Sequence, residues 1–135
     1  MFNSKALLAS TLAAVLAFAA AAPAKPSPEA SATVEICSGT CPTGGVTLPV
    51  VSDSCINLTG GLSFLNKEIS HAVVPGGFIC TFFQDFGCIA SGTGNAPTNS
   101  EVVLTGGTWG LSNAPGLSGP INFNDLTSSI SCSPI

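Results

Sequence analysis

Six cysteines, a single histidine and seven carboxylates are the residues of this 135-residue chain whose types could do chemistry. Zinc would require four ligands in paired spacing, but Cys37-x-x-x-Cys41 has no matching second pair and His71 is distant from it in sequence. An even number of cysteines, Cys37, Cys41, Cys55, Cys80, Cys88 and Cys132, in a short chain instead reads as three disulfides and a disulfide-permissive compartment. Three bridges at about 2 to 4 kcal/mol each rival the net stability of a small domain. Nucleophilic catalysis needs a base and an orienting group, and His71 is the one histidine available. Asp53, Asp85, Glu101 and Asp125 are scattered among turn residues, where solvated acids ordinarily occur. Gly60-Gly61, Gly76-Gly77 and Gly106-Gly107 lack the following lysine and helix of a phosphate loop. The expectation is therefore a protein that is not an enzyme and carries no cofactor.

Two further residues bear on recognition and modification. Asn57-Leu58-Thr59 is the chain's N-glycosylation sequon, and its use requires Asn57 to face solvent. Trp109, the sole tryptophan, is either a recognition anchor or a packing residue.

The elements that must position these residues begin after a removable leader. Met1 to Lys5 carries one positive charge, Ala6 to Ala21 is almost wholly small and apolar, and small residues suit cleavage after Ala19, Ala20 or Ala21. Residues 1–21 are thus expected to be a secretory signal peptide, too short in its apolar run to span a membrane. Residues 22–32, rich in Pro and Ala, are expected to be a disordered tail. Without Lys5, two lysines face seven carboxylates, a net charge of −5, and there is no arginine. Nucleic acid is excluded as a partner because no basic cluster exists to neutralise phosphates. The expected destination is extracellular, with no membrane span in the mature form.

From residue 33 to 135 one all-β domain is expected. Short runs such as Val34-Glu35-Ile36, Val46-Thr47-Leu48, Phe78-Ile79-Cys80-Thr81-Phe82-Phe83 and Glu101-Val102-Val103-Leu104 are separated by Gly, Pro, Ser, Asn and Asp, the pattern of a sandwich or barrel. An internal echo divides this domain. Aligning Asn66 of Phe64-Leu65-Asn66-Lys67-Glu68-Ile69-Ser70-His71-Ala72 with Asn124 of Asn122-Phe123-Asn124-Asp125-Leu126-Thr127-Ser128-Ser129-Ile130 places Ser70 on Ser128 and a hydrophobic lead-in before each Asn. One supersecondary unit therefore occurs twice, in residues 33–75 and 76–135. The second copy is longer, and its extra residues are expected as an insertion at about 90–116, where loop composition surrounds the Glu101 to Leu104 run.

These motifs resemble the βγ-crystallin family, in particular its small, secreted, cysteine-rich microbial and fungal members. A Greek key of that family closes with (Asn/Asp)-(Asn/Asp)-x-x-(Ser/Thr)-Ser. Asn124-Asp125-Leu126-Thr127-Ser128-Ser129 fits it at every defined position, whereas Asn66-Lys67-Glu68-Ile69-Ser70-His71 keeps the first Asn and the fifth-position Ser. The opening hairpin is approximated by Phe83-Gln84-Asp85-Phe86-Gly87-Cys88-Ile89-Ala90 and more loosely by Cys37-Ser38-Gly39-Thr40-Cys41-Pro42-Thr43-Gly44.

The resemblance implies two Greek keys packed as a disulfide-stabilised sandwich, with Ser70 and Ser128 satisfying backbone groups where the chain crosses. It implies a bridge between Cys80 in an opening strand and Cys132 in the closing strand, with Cys41–Cys55 and Cys37–Cys88 completing one of the fifteen pairings that six cysteines allow. It also implies a calcium clamp: the Glu68 carbonyl, Ser70 hydroxyl and Asp125 carboxylate form one set of hard oxygen ligands, while the reciprocal set is spoiled by the positive charge of Lys67. The function it implies is non-enzymatic binding outside the cell, to a protein or wall component, in an effector, killer-toxin-like or proteinase-inhibitor-like role. The alternative is a structural or stress-protective calcium-binding protein.

Overall fold

In the computed structural model, residues 32–90, 100–116 and 119–135 are described. The expected signal peptide (1–21) and all but the last residue of the expected tail lie outside them. Among the described residues no helix is long and apolar enough to cross a membrane.

Strand β1 (Thr33–Cys37) alternates as a strand with one face on a core must, with Val34 and Ile36 fully buried. It pairs antiparallel with β2 (Gly45–Pro49) on one side and with the start of β4 (His71–Phe83) on the other. The second half of β4 pairs instead with β8 (Ser129–Pro134), from Phe78 opposite Pro134 to Phe83 opposite Ser129. Along the opposite edge of β4 runs β5 (Glu101–Gly110), whose first half faces Ile79 to Phe83 and whose second half faces His71 to Val74. Register shifts between Val74 and Ile79, where the ladder folds over. A Cβ on Gly106 would lie 2.9 Å from the Gly76 Cα and 3.1 Å from the Pro75 carbonyl, so the corner admits only glycine.

The short strand β3 (Cys55–Asn57) does not return to β1 and β2. It pairs with β8, Ile56 opposite Ile130. In exchange, the second half of β5 joins the first unit by pairing with His71 to Val74. Each Greek key therefore lends one strand to the other, and the boundary expected between residues 75 and 76 falls inside β4. The expected insertion at 90–116 is corrected by the same topology. Glu101–Gly110 supplies one strand to each unit, with Val102 and Leu104 buried, and its Gly-Gly pair is a corner. The added length falls at the hairpin joining β4 to β5, of which 91–99 lie outside the described residues, and at the small ladder of β6 (Ala114–Gly116) and β7 (Gly119–Ile121).

One core serves both units. Val34, Ile36, Leu65, Ile69 and Ala72 of the first share it with Phe82, Leu104, Leu111, Phe123 and Ile130 of the second. Leu65 and Phe123, the hydrophobic lead-ins of the echoed stretches, are both fully buried. Burial of such side chains contributes about 1.5–3 kcal/mol each.

The disulfides correct two of the three expected pairings. Cys80 and Cys132, directly opposite each other in the β4–β8 ladder, are joined at a Cα separation of 4.0 Å. Cys37, however, is bonded to Cys41 at 5.4 Å, and Cys55 to Cys88 at 5.8 Å. Strand exchange is the cause. Because β3 leaves its own unit for β8, Cys55 stands beside the second unit's hairpin and bonds Cys88 there, and Cys41 closes on its near neighbour at the end of β1.

Candidate cation site between the closing loops

The two closing loops meet about a pseudo-two-fold axis that hydrogen bonds define in three reciprocal pairs. Lys67 N–H donates to the Thr127 carbonyl at 2.9 Å, and Asp125 N–H, its counterpart, donates to Ile69 at 3.1 Å. Ser70 N–H donates to Cys37 and Ser128 N–H to Phe83, at 2.9 and 2.8 Å. Leu111 N–H donates to the Ser70 carbonyl and Leu58 N–H to that of Ser128, at 2.8 and 2.9 Å. Lys67 and Asp125 also share the left-handed backbone conformation, φ 63° and 60°. The main chains of Ser70 and Ser128 thus fasten each closing loop to its own opening strand and to the other unit. Among the described residues, the Thr127 hydroxyl oxygen and the Asn66 side-chain oxygen are buried without a hydrogen-bond partner.

The axis relates backbones that match and side chains that oppose. The Lys67 ammonium donates to the Leu126 carbonyl at 2.8 Å and to the Gln84 carbonyl, so it bridges the second closing loop and the second hairpin. Burial pushes its pKa below the usual lysine value, and the Asp85 carboxylate nearby opposes that shift. On the other side of the axis the corresponding carbonyls are those of Ser38 and Glu68, and the corresponding side chain is Asp125, which is exposed. Two members of the expected set, the Glu68 carbonyl and Asp125, are thus the pseudo-symmetry counterparts of the Leu126 carbonyl and of Lys67, which meet in an ammonium–carbonyl hydrogen bond. An all-oxygen set with one carboxylate fits a hard divalent ion such as calcium. The ammonium acts as a stand-in ion showing where such carbonyls aim. The Ser38 and Gln84 carbonyls escaped the sequence reading because main-chain oxygens leave no residue signature.

Beside the loops, the second hairpin is anchored by side chains. The buried Ser129 hydroxyl accepts from Cys88 N–H at 2.9 Å and donates to the Asp85 carbonyl at 2.6 Å. The Asn57 side-chain oxygen accepts from Gly87 N–H at 2.7 Å. Asn57 is exposed and Leu58 between it and Thr59 is buried. Trp109 packs against the core, and its indole N–H donates to the Thr105 carbonyl at 2.7 Å in its own strand, so its polar end is already engaged within the domain. Among the exposed large apolar side chains of the second unit, Phe86 and Ile89 stand on the anchored hairpin, at 47% and 62%. Glu35, Cys37 and Cys41 gather within 4.8 Å, but the two sulfurs are bonded to each other and offer no thiolate.

No protein-family model and no curated protein sequence matches the chain. Solved structures do. A mutant of a βγ-crystallin domain from Clostridium beijerinckii is 14% identical over 75% of this chain and 97% of its own, with a TM-score of 0.52. A βγ-crystallin from Ciona intestinalis is 19% identical over 73% of this chain and 96% of its own, with a TM-score of 0.48. Protein S, solved in complex with calcium, is 21% identical over 77% of this chain and 50% of its own, at 0.47. With its two Greek keys, their exchanged strands and three disulfides, this chain has the βγ-crystallin fold.

Proposed function

We propose that the protein is a secreted, non-enzymatic domain that acts by binding outside the cell, and that the ligand its geometry serves best is one calcium ion. The observation that carries this reading is the opposition of charge across the pseudo-two-fold axis. Lys67 fills one half of the loop pair with its own ammonium, and its counterpart Asp125 offers the other half an exposed carboxylate, which the Glu68 carbonyl and the Ser70 hydroxyl would join around an ion. Such an ion would tie the first closing loop to the second, supplying neutralisation and cross-linking. Its role would be structural or stress-protective, as an ion bound to the folded state alone stabilises it by mass action.

The test is calorimetric and thermal titration with calcium chloride at millimolar concentration. The expected result is one ion per chain and a raised melting temperature, with both lost in Asp125→Ala. No heat and no shift at millimolar calcium would overturn the calcium reading.

A second reading, recognition of an extracellular protein or wall component in an effector, toxin-like or inhibitor-like role, draws on the hairpin. Phe86 and Ile89 are held in solvent on a loop pinned by the Cys55–Cys88 bridge and by Ser129. Apolar side chains on a rigid loop are the usual form of an interface anchor. Pull-down from extracellular extract should then lose its partner in Phe86→Ser and keep it in Trp109→Phe, and the reverse order would move recognition to β5.

A further inference from the structure

We infer that Lys67 is a tethered cation: its ammonium permanently occupies one of two equivalent cation positions, so that half of the loop pair is closed without any free ion. The inference deepens the calcium reading and rests on it only for the Asp125 half. Its own evidence is independent of that half. The ammonium leaves the first closing loop and reaches two carbonyls on different elements of the second unit, Leu126 in the closing loop and Gln84 in the hairpin that follows β4. A lysine merely laying its stem on the surface would send its charge outward to water, whereas this one turns inward and accepts partial desolvation, which is why its proton is held less tightly than usual.

The left-handed backbone at Lys67 is the second observation. A lysine at φ 63° pays a conformational cost that glycine or asparagine would avoid. The reciprocal bond from Lys67 N–H to Thr127 and the two ammonium bonds hold it there. Main-chain carbonyls aimed at a common point accumulate negative potential. A charge on a tether meets that potential with no loss of translational freedom and no dependence on the concentration of ions outside. The chain thereby keeps one crossing closed wherever calcium is scarce, and its capacity is limited to a single ion per domain.

The experiment compares the wild type, Lys67→Met, Asp125→Asn and the double variant Lys67→Asp with Asp125→Asn, by thermal unfolding in chelator and by calorimetry with calcium chloride. Lys67→Met keeps the stem and removes the charge. It should melt about 5 °C lower in chelator and gain no ion. The double variant places a carboxylate beside the Gln84 and Leu126 carbonyls and should bind one calcium ion where Asp125→Asn alone binds none. Should aspartate at this position prevent folding, Lys67→Asn in the same background repeats the test with a neutral oxygen donor. An unchanged melting temperature for Lys67→Met, or folded double variants that show no heat, would overturn the inference. A double variant that binds calcium while the wild type does not would refute the Asp125 site and leave the tethered cation standing.

Discussion

The hairpins that follow β1 and β4 hold equivalent places in the two Greek keys and are fastened by opposite means. The first, residues 38–44, is closed upon itself. Cys37, at the end of β1, is bonded to Cys41 within the turn, and Ser38 N–H to Gly44, Gly39 N–H to Thr43 and Gly45 N–H to Pro42 complete it from within. The second is fastened from outside, by Ser129 of its own closing strand and by Cys55 and Asn57 of the other unit. At the position of Ser129 the first unit has His71, whose buried Nδ1 finds no hydrogen-bond partner among the described residues. The comparison teaches that a turn closed by its own disulfide no longer needs the closing-strand hydroxyl, while a longer hairpin draws its anchors from wherever the fold brings polar side chains within reach.

The two disulfides offer the strongest way to break this contrast. On the chain-entropy account, removing a bridge of sequence separation 33, as in Cys55→Ser with Cys88→Ser, costs about 4 kcal/mol. Removing the bridge of separation 4, Cys37→Ser with Cys41→Ser, costs about 2 kcal/mol. Denaturant unfolding of both double variants measures the difference, and equal losses would mean that the outside anchoring is no more consequential than the local closure. Next in size is Ser129→Ala, which leaves the Cys88 N–H and the Asp85 carbonyl without their partner. About 1–3 kcal/mol should be lost, with amide exchange at Cys88 accelerated. Smallest is His71→Ser, which restores the hydroxyl where its hairpin does not require it. Stability should change by less than about 0.5 kcal/mol, and a gain approaching the loss in Ser129→Ala would show that the first hairpin lacked the same anchor after all.

The sequence carried the repeated unit legibly, because a closing loop is a local event. A left-handed residue after Asn66 and after Asn124, and a buried apolar residue before each, must recur wherever the crossing recurs. Strand exchange was not legible. The three residues of β3, Cys55-Ile56-Asn57, carry no signal that distinguishes β8 from a neighbour within their own unit, since pairing depends on register over a few backbone bonds. Two of the three expected cysteine pairings differ from the observed ones for that reason. Gly106-Gly107 reads as loop in composition and is a corner in fact, because the requirement for glycine is set by the approach of Gly76, thirty residues away in the chain. The site was half legible. Lys67 was recognisable as hostile to a second ion, but that its own charge would take the ion's place depends on two carbonyl oxygens, which every residue possesses.

Lending strands across the axis also governs how the chain can reach this structure. Ile56 finds its partner at Ile130, on the last of the described strands, and His71 to Val74 await β5 before both of their edges are covered. Neither half holds a complete sheet, so neither has a stable resting point of its own. Folding should be a single concerted event, slow because its decisive contacts span most of the domain, and chain emerging from synthesis remains without its native pairing for β3 until the final strand is free to join it.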